Sequence, residues 1–216
     1  MRYWVFITAF LWLMATPAFA DDANDWQFWN TESAEVHLEE KYYGTVEQEF
    51  RFGDDFSNFY YTHTDGGVIH KTYDWLHLGA NFRFIVREKD DEWEREYRPH
   101  VNATLLGEWQ ALNFSNRSRF EFRMLSDTKD NWRYRNKIRI DTDLQVADHT
   151  VTPYVADEYF ADLDDSSFNF NRFSTGIEMA LTKRVTGDLY YLWQDEEGRG
   201  TESASHVIGL NFHWEF

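Results

Sequence analysis

Between Asn116 and Ile140 the chain alternates with a period of two. Arg117, Arg119, Arg123, Arg133, Arg135, Lys137 and Arg139 hold odd positions; Phe120, Phe122, Met124, Trp132, Tyr134, Ile138 and Ile140 hold even ones. Successive side chains of a β-strand point to opposite faces, so this pattern predicts two strands, each with a cationic face and an apolar face. The same period recurs along the chain and predicts strands over 26–38, 45–53, 57–72, 75–88, 95–106, 111–125, 132–145, 150–161, 168–182, 185–195 and 203–216. In 75–88, Leu76, Leu78, Ala80, Phe82, Phe84 and Val86 oppose His77, Gly79, Asn81, Arg83 and Arg87. In 95–106, Tyr97, Val101, Ala103 and Leu105 oppose Arg98, His100, Asn102 and Thr104.

Alternation alone fits a soluble sandwich as well as a membrane barrel, and the chain ends separate the two. Residues 1–20 carry one cation, Arg2, then an apolar run closing on Ala18-Phe19-Ala20. This is the pattern of a cleaved secretory signal peptide, which leaves 21–216 as a single domain. At the other end Ile208, Leu210, Phe212, Trp214 and Phe216 alternate with Val207, Gly209, Asn211, His213 and Glu215. Gly209, Phe212, Trp214 and the terminal Phe216 resemble the C-terminal assembly signal of bacterial outer-membrane barrels, which implies the barrel-assembly machinery as a partner. Aromatic residues make up 19% of the chain, and Tyr42, Tyr43, Tyr73, Trp75, Trp109, Trp132 and Trp214 fall near strand ends, as interfacial belts require. The expected fold is all-β: a closed antiparallel transmembrane β-barrel of about 10–12 strands in a Gram-negative outer membrane, facing lipid and lipopolysaccharide. Single-chain barrels favour even strand numbers. The eleven segments therefore predict either ten strands, if 21–40 complete none, or twelve, if two are merged, with Gly66-Gly67 as a place for a bulge or a misreading.

Composition narrows the chemistry. With no cysteine there is no disulfide scaffold and no thiolate metal site. The formal charge of −17 argues against nucleic acid as a partner, because phosphate binding needs net positive surface. Connections such as "KTYDW", "LGEW" and "LTKRV" read as short turns; "FGDDFSN", "REKDDEWERE", "SDTKDN", "DLDDSSFN" and "QDEEGRGTES" read as longer acidic loops. Asp54-Asp55, Asp90-Asp91, Asp162, Asp164-Asp165 and Glu196-Glu197 lack the spacing of a defined calcium loop and read as solvated. No cofactor is expected. No two of the eight histidines have zinc-protease spacing, and there is no Gly-x-Ser-x-Gly elbow. Ser205 and His206 are adjacent in a strand and so face opposite ways. No enzyme is expected, although a lipid-modifying barrel stays an alternative.

"NRSRFEFR", "WRYRNKIRI" and "YVADEYF" together resemble a family of small Gram-negative outer-membrane proteins, the domain of unknown function 2490, over essentially the whole chain after residue 20. The resemblance implies a membrane barrel and no established activity. If the even face of 111–140 meets lipid, the cations point inward, where Glu47, Glu49, Glu121, Asp141, Asp143, Glu158 and Glu178 can meet them, and Arg51, Arg83, Arg98 and Arg172 join them. Two functions follow. A lumen packed with Arg–carboxylate pairs makes a closed, rigid barrel. A lumen lined by Arg117, Arg119, Glu121, Arg123, Arg133, Arg135, Lys137, Arg139, Glu158, Arg172 and Glu178 makes a narrow channel for small acidic solutes.

Overall fold

A computed structural model describes residues 25–126, 128–164, 168–195 and 204–216, with the backbone alone at 168 and 169. The expected signal peptide, Asp165, Glu196-Glu197 and Ser203 lie outside the described residues. The strands are β1 (Asp25–Glu39), β2 (Tyr42–Gly53), β3 (Asn58–Tyr73), β4 (Leu76–Lys89), β5 (Glu92–Trp109), β6 (Leu112–Leu125), β7 (Asn131–Asp141), β8 (Leu144–Val146), β9 (His149–Asp162), β10 (Phe168–Ala180), β11 (Val185–Asp195) and β12 (Ala204–Glu215). Eleven of them are the staves of one closed barrel, and the three-residue β8 is an extra piece paired only with β9.

The even-number expectation is wrong, and both routes to it fail. Residues 25–39 form a complete stave, and the one merged segment, 132–145, joins β7 to the extra β8 rather than to a twelfth stave, so the count is eleven, inside the expected range of 10–12. Neighbours run antiparallel round the ring, but an odd ring must leave two adjacent strands running the same way. Here β1 and β12 pair in parallel, from Asp25↔Ser205 to Glu35↔Glu215, so the barrel is not wholly antiparallel. Phe216 fastens the end of this seam: its amide donates to Glu35 O and its carbonyl accepts from His37 N, both at 3.0 Å. Gly66-Gly67 is no bulge either. The β2–β3 and β3–β4 registers run unbroken through it and shift only at Arg51/Phe52 and Lys71/Tyr73. Gly67 is required because a Cβ there would lie 2.4 Å from Ala80 O and from Asn81 Cγ.

Proline explains two of the ladder breaks. It has no N–H to give. The β5–β6 ladder breaks at Arg98-Pro99, between Tyr97↔Met124 and His100↔Glu121. Segment 132–145 is broken at Thr142-Asp143, across from Thr152-Pro153. Asp143 is thereby exposed, accepting from Thr152 Oγ1 at 2.6 Å, and does not join the lumen's ion pairs as expected. The acidic run 87–96 is not a long loop. Lys89 pairs with Glu92 around a two-residue turn whose Asp90 and Asp91 have φ of 52° and 64°, as in a twist-matched hairpin. One end of the barrel carries the turns at 40–41, 74–75, 110–111 and 181–184 together with Phe216; the acidic turns at 54–57 and 90–91 and Asp25 are at the other.

The fold is inside out. Val46, Phe50, Val68, Leu78, Phe82, Val101, Leu105, Phe120, Ile138, Leu189 and Ile208 are exposed, whereas Arg83, Glu96, Arg98, Glu121, Arg133 and Glu158 are buried. Tyr42, Tyr73, Trp75, Trp109 and Trp214 are exposed near the short-turn end and Trp93 and Trp132 near the acidic end. Tyr43, expected in a belt, instead turns inward, its ring 3.6 Å from Lys71 Nζ. The outer face is not purely apolar. Asn116 and Asn136 exchange reciprocal hydrogen bonds of 3.1 and 3.0 Å, Asn136 also donates to Ser118 at 3.1 Å, and Gln48 donates to Thr62 at 2.7 Å.

The small apolar core inside, Trp29, Leu192 and Val207, packs against Tyr190. Tyr190 pairs with Gly209 on β12 and Gly176 on β10, and its ring covers Gly209 so closely that a Cβ there would lie 1.9 Å from Cζ. Gly209 is thus a notch for an aromatic ring. Gly209→Ala should destabilise the refolded protein by about 1–3 kcal/mol in urea unfolding, as overpacking does. The loss should shrink in a Tyr190→Leu background. Gly107→Ala, where nothing lies within 4 Å, should change stability by about 0.5 kcal/mol or less.

Candidate functional site

Period two sends the polar half of every stave into one lumen, and register decides which charges meet. Glu121, fully buried, is the centre. It accepts from Arg133 Nε at 2.8 Å and Nη2 at 2.6 Å and from Arg135 Nη1 at 3.0 Å; Arg119 and Arg98 stand 3.6 and 3.7 Å away. Arg135 also reaches Glu158 at 2.8 Å, and Arg117 reaches the same carboxylate at 2.9 Å. Arg123 grips both oxygens of Glu96, at 2.8 and 3.1 Å, and Arg98 adds a 2.6 Å contact. Arg139 meets Glu178 fork to fork at 2.6 and 2.8 Å and Asp141 at 3.0 Å. Planar guanidinium suits such paired contacts; a lysine could not replace it.

A second group lines β2–β5. Asp65 accepts from Arg83 at 2.7 Å and meets His100 Nε2 at 2.8 Å; Glu47 meets Arg83 at 2.9 Å and His63 at 2.8 Å; Glu49 binds Arg51 at 2.6 Å. The guanidinium of Arg51 stacks between Trp29 and Tyr61, 3.6 and 4.2 Å from their centroids.

The two groups are unlike in balance. Along β5–β7 and β9–β10, Arg98, Arg117, Arg119, Arg123, Arg133, Arg135, Lys137 and Arg172 share only Glu96, Glu121 and Glu158. Arg119 finds an amide instead, donating to Asn102 Oδ1 at 2.6 Å. Among the described residues the side chain of Lys137 makes no hydrogen bond or ion pair, and Arg172 no ion pair. Arg172 donates Nε to Gln194 at 2.8 Å and lies on Phe160, Trp29 and Phe170, 4.8, 4.9 and 5.1 Å from their centroids.

Side chains do not fill the lumen. An eight-strand barrel is just filled by them, and eleven staves leave space. A cavity of about 1000 Å³ is lined from the acidic end by Gln27, Arg87, Arg123 and Gln194, and deeper by Lys137, Glu158 and Arg172. A second, of about 300 Å³, is lined nearer the short turns by Glu35, Lys71, His77 and His213. Both touch Glu47, Arg83, Arg117 and Arg119, so these four side chains form the partition between the two chambers.

Apart from Asp143, the lumen residues singled out by period two are inward, and Arg117, Arg119, Glu121, Arg133, Arg135 and Glu158 form one connected set. Arg139 and Glu178 form a separate pair nearer the short turns. Sequence reasoning missed Glu96, Asp65, His63 and Phe160. The signal for Glu96 was its parity with Arg98, hidden because 87–96 read as a loop. It also missed Ser33 Oγ, 2.9 Å from His213 Nδ1 across the parallel seam. Glu215 lies 3.8 Å from the other ring nitrogen, but its side chain is 69% exposed, and the strand amides around Ser33 are committed to the β1–β2 and β1–β12 ladders. The described residues hold no cluster of His, Asp and Glu able to bind a metal. A family model described as "Protein of unknown function (DUF2490)" matches residues 26–204. No curated protein matches the chain.

Removing the central anion should be costly, since it strands buried cations. Glu121→Gln should lower unfolding stability by about 3–5 kcal/mol. Glu94→Gln, which meets the more exposed Arg87 and Lys89 at 3.1 and 3.4 Å, should cost about 1 kcal/mol or less in the same assay.

Proposed function

We propose that this chain, which belongs to the DUF2490 family, spans the Gram-negative outer membrane and gives small acidic solutes a narrow passage. The carrying observation is the surplus of cations over carboxylates where the two chambers meet. Arg and Lys lining a constriction lower the barrier for anions and raise it for cations. The apolar outer face and the aromatic groups at both ends support a bilayer setting, where lipid and lipopolysaccharide surround the staves. The alternating aromatics of β12 support recognition by the barrel-assembly machinery. Transport, not catalysis, is the role proposed. A second reading, a closed barrel stiffened by its ion pairs, draws support from the complete burial of Glu121 among arginines.

Refolded protein in a planar bilayer under a salt gradient should pass single-channel current with a reversal potential on the anion side. No current would favour the closed barrel, and a cation-selective current would overturn the passage. Orientation is separately testable because the chain has no cysteine. With the short turns periplasmic, Asp55→Cys and Asp91→Cys should react with an impermeant maleimide on intact cells. Asp74→Cys and Gln110→Cys should react only after permeabilisation.

A further inference from the structure

Glu158 sits in the most unbalanced part of the lumen. Register places Lys137 beside it on β7 and Arg172 beside it on β10, and Arg117 beside Lys137 on β6. Staves are about 4.8 Å apart, so Lys137 and Arg172 flank Glu158 within reach of one small ligand. Neither has a carboxylate of its own among the described residues, and both line the larger cavity. Uncompensated cations in such a place are costly without a counter-charge.

The donors are also aimed. Arg172 lies against aromatic faces and uses only Nε, towards Gln194, which leaves both terminal nitrogens to point their N–H groups at a ligand. The ammonium of Lys137 has three donors and no acceptor. Glu158 completes the set in an unexpected way. Its hydrogen bonds from Arg117 and Arg135 all fall on Oε1. Its Oε2 takes none among the described residues, and a free carboxylate oxygen can only accept. A ligand seated between Lys137 and Arg172 therefore meets cationic donors on two sides and an acceptor on the third.

We infer that Lys137, Arg172 and Glu158 form a binding site for a phosphate group that carries a proton. Two phosphate oxygens accept from Arg172 and one from Lys137, and the P–OH donates to Glu158 Oε2. Sulfate has the same shape and charge but no proton at neutral pH, so the carboxylate oxygen repels it. The site rests on the passage reading for its route of access and deepens it by naming the solute chemistry.

Titration calorimetry of the refolded protein with inorganic phosphate at neutral pH tests this. One saturable site is expected, with sulfate and chloride each at least about tenfold weaker. Lys137→Met and Arg172→Gln should each weaken phosphate by about tenfold or more, while Lys137→Arg and Arg87→Gln, the latter nearer the acidic end of the same cavity, should retain it. Glycerol 3-phosphate in parallel separates a free ion from an ester, and tighter binding of either than of sulfate supports the site. Absence of saturable binding of both phosphate and glycerol 3-phosphate in the unaltered protein, equal affinity for sulfate, or equal loss in Arg87→Gln would overturn it. Phosphate binding without bilayer current would leave the site and remove the passage; anion current without a saturable site would do the reverse.

Discussion

The barrel depends on the sharing of too few carboxylates among too many guanidinium groups. Glu121 and Glu158, joined through Arg135, tie β6, β7 and β9 together, and Glu96 extends the lattice to β5 through Arg98 and Arg123. In a soluble domain this bonding would be a minor addition to an apolar core. Here the buried apolar cluster is small, so the interior is held largely by charge. Such a lattice is interdependent: each carboxylate serves several cations, and each loss leaves charges stranded where water is scarce. Within an otherwise saturated network, Lys137 and Arg172 without anionic partners are therefore informative.

Much of this was legible from period two. Parity alone separated Arg117 from Phe120 and put Glu158 and Glu178 on the lumen side, and the eleven segments agree with the staves to within about three residues, except that 132–145 runs past the end of β7 into β8. What could not be read was whatever depends on two distant segments meeting. The parallel seam is invisible in the sequence because nothing in β1 names β12 as its neighbour. The pairing of Arg135 with two glutamates, and the bare Oε2 of Glu158, are set by register across three strands. Glu96 was lost to a local misreading, since a run of charges resembles a loop whether or not a two-residue turn lets the strands continue through it. Gly209 had a signature, but its physical role needed Tyr190 in place above it.

The outer surface follows the same rule in reverse. Where polar side chains break the apolar face, they bond to one another, as Asn116, Asn136 and Ser118 do. In the bilayer setting proposed above an amide without a partner would be costly, and a mutual pair lowers that cost. The seam uses a related device. Parallel pairing is slightly weaker per residue than antiparallel. Asn30, on the outer face of β1, adds a side-chain hydrogen bond of 2.9 Å to Leu210 O across the join.

An odd ring has a further result for biogenesis. With an even ring both termini can remain in the compartment where the chain arrives, and only closed hairpins need traverse the bilayer. With eleven staves, Asp25 and Glu215 finish on opposite rims, so in the bilayer setting proposed above β1 would have to cross the hydrocarbon led by its Asp25 end. On that reading the crossing would expose the amides of β1 until β12 pairs with them, and closure of the seam would be the slow step of insertion.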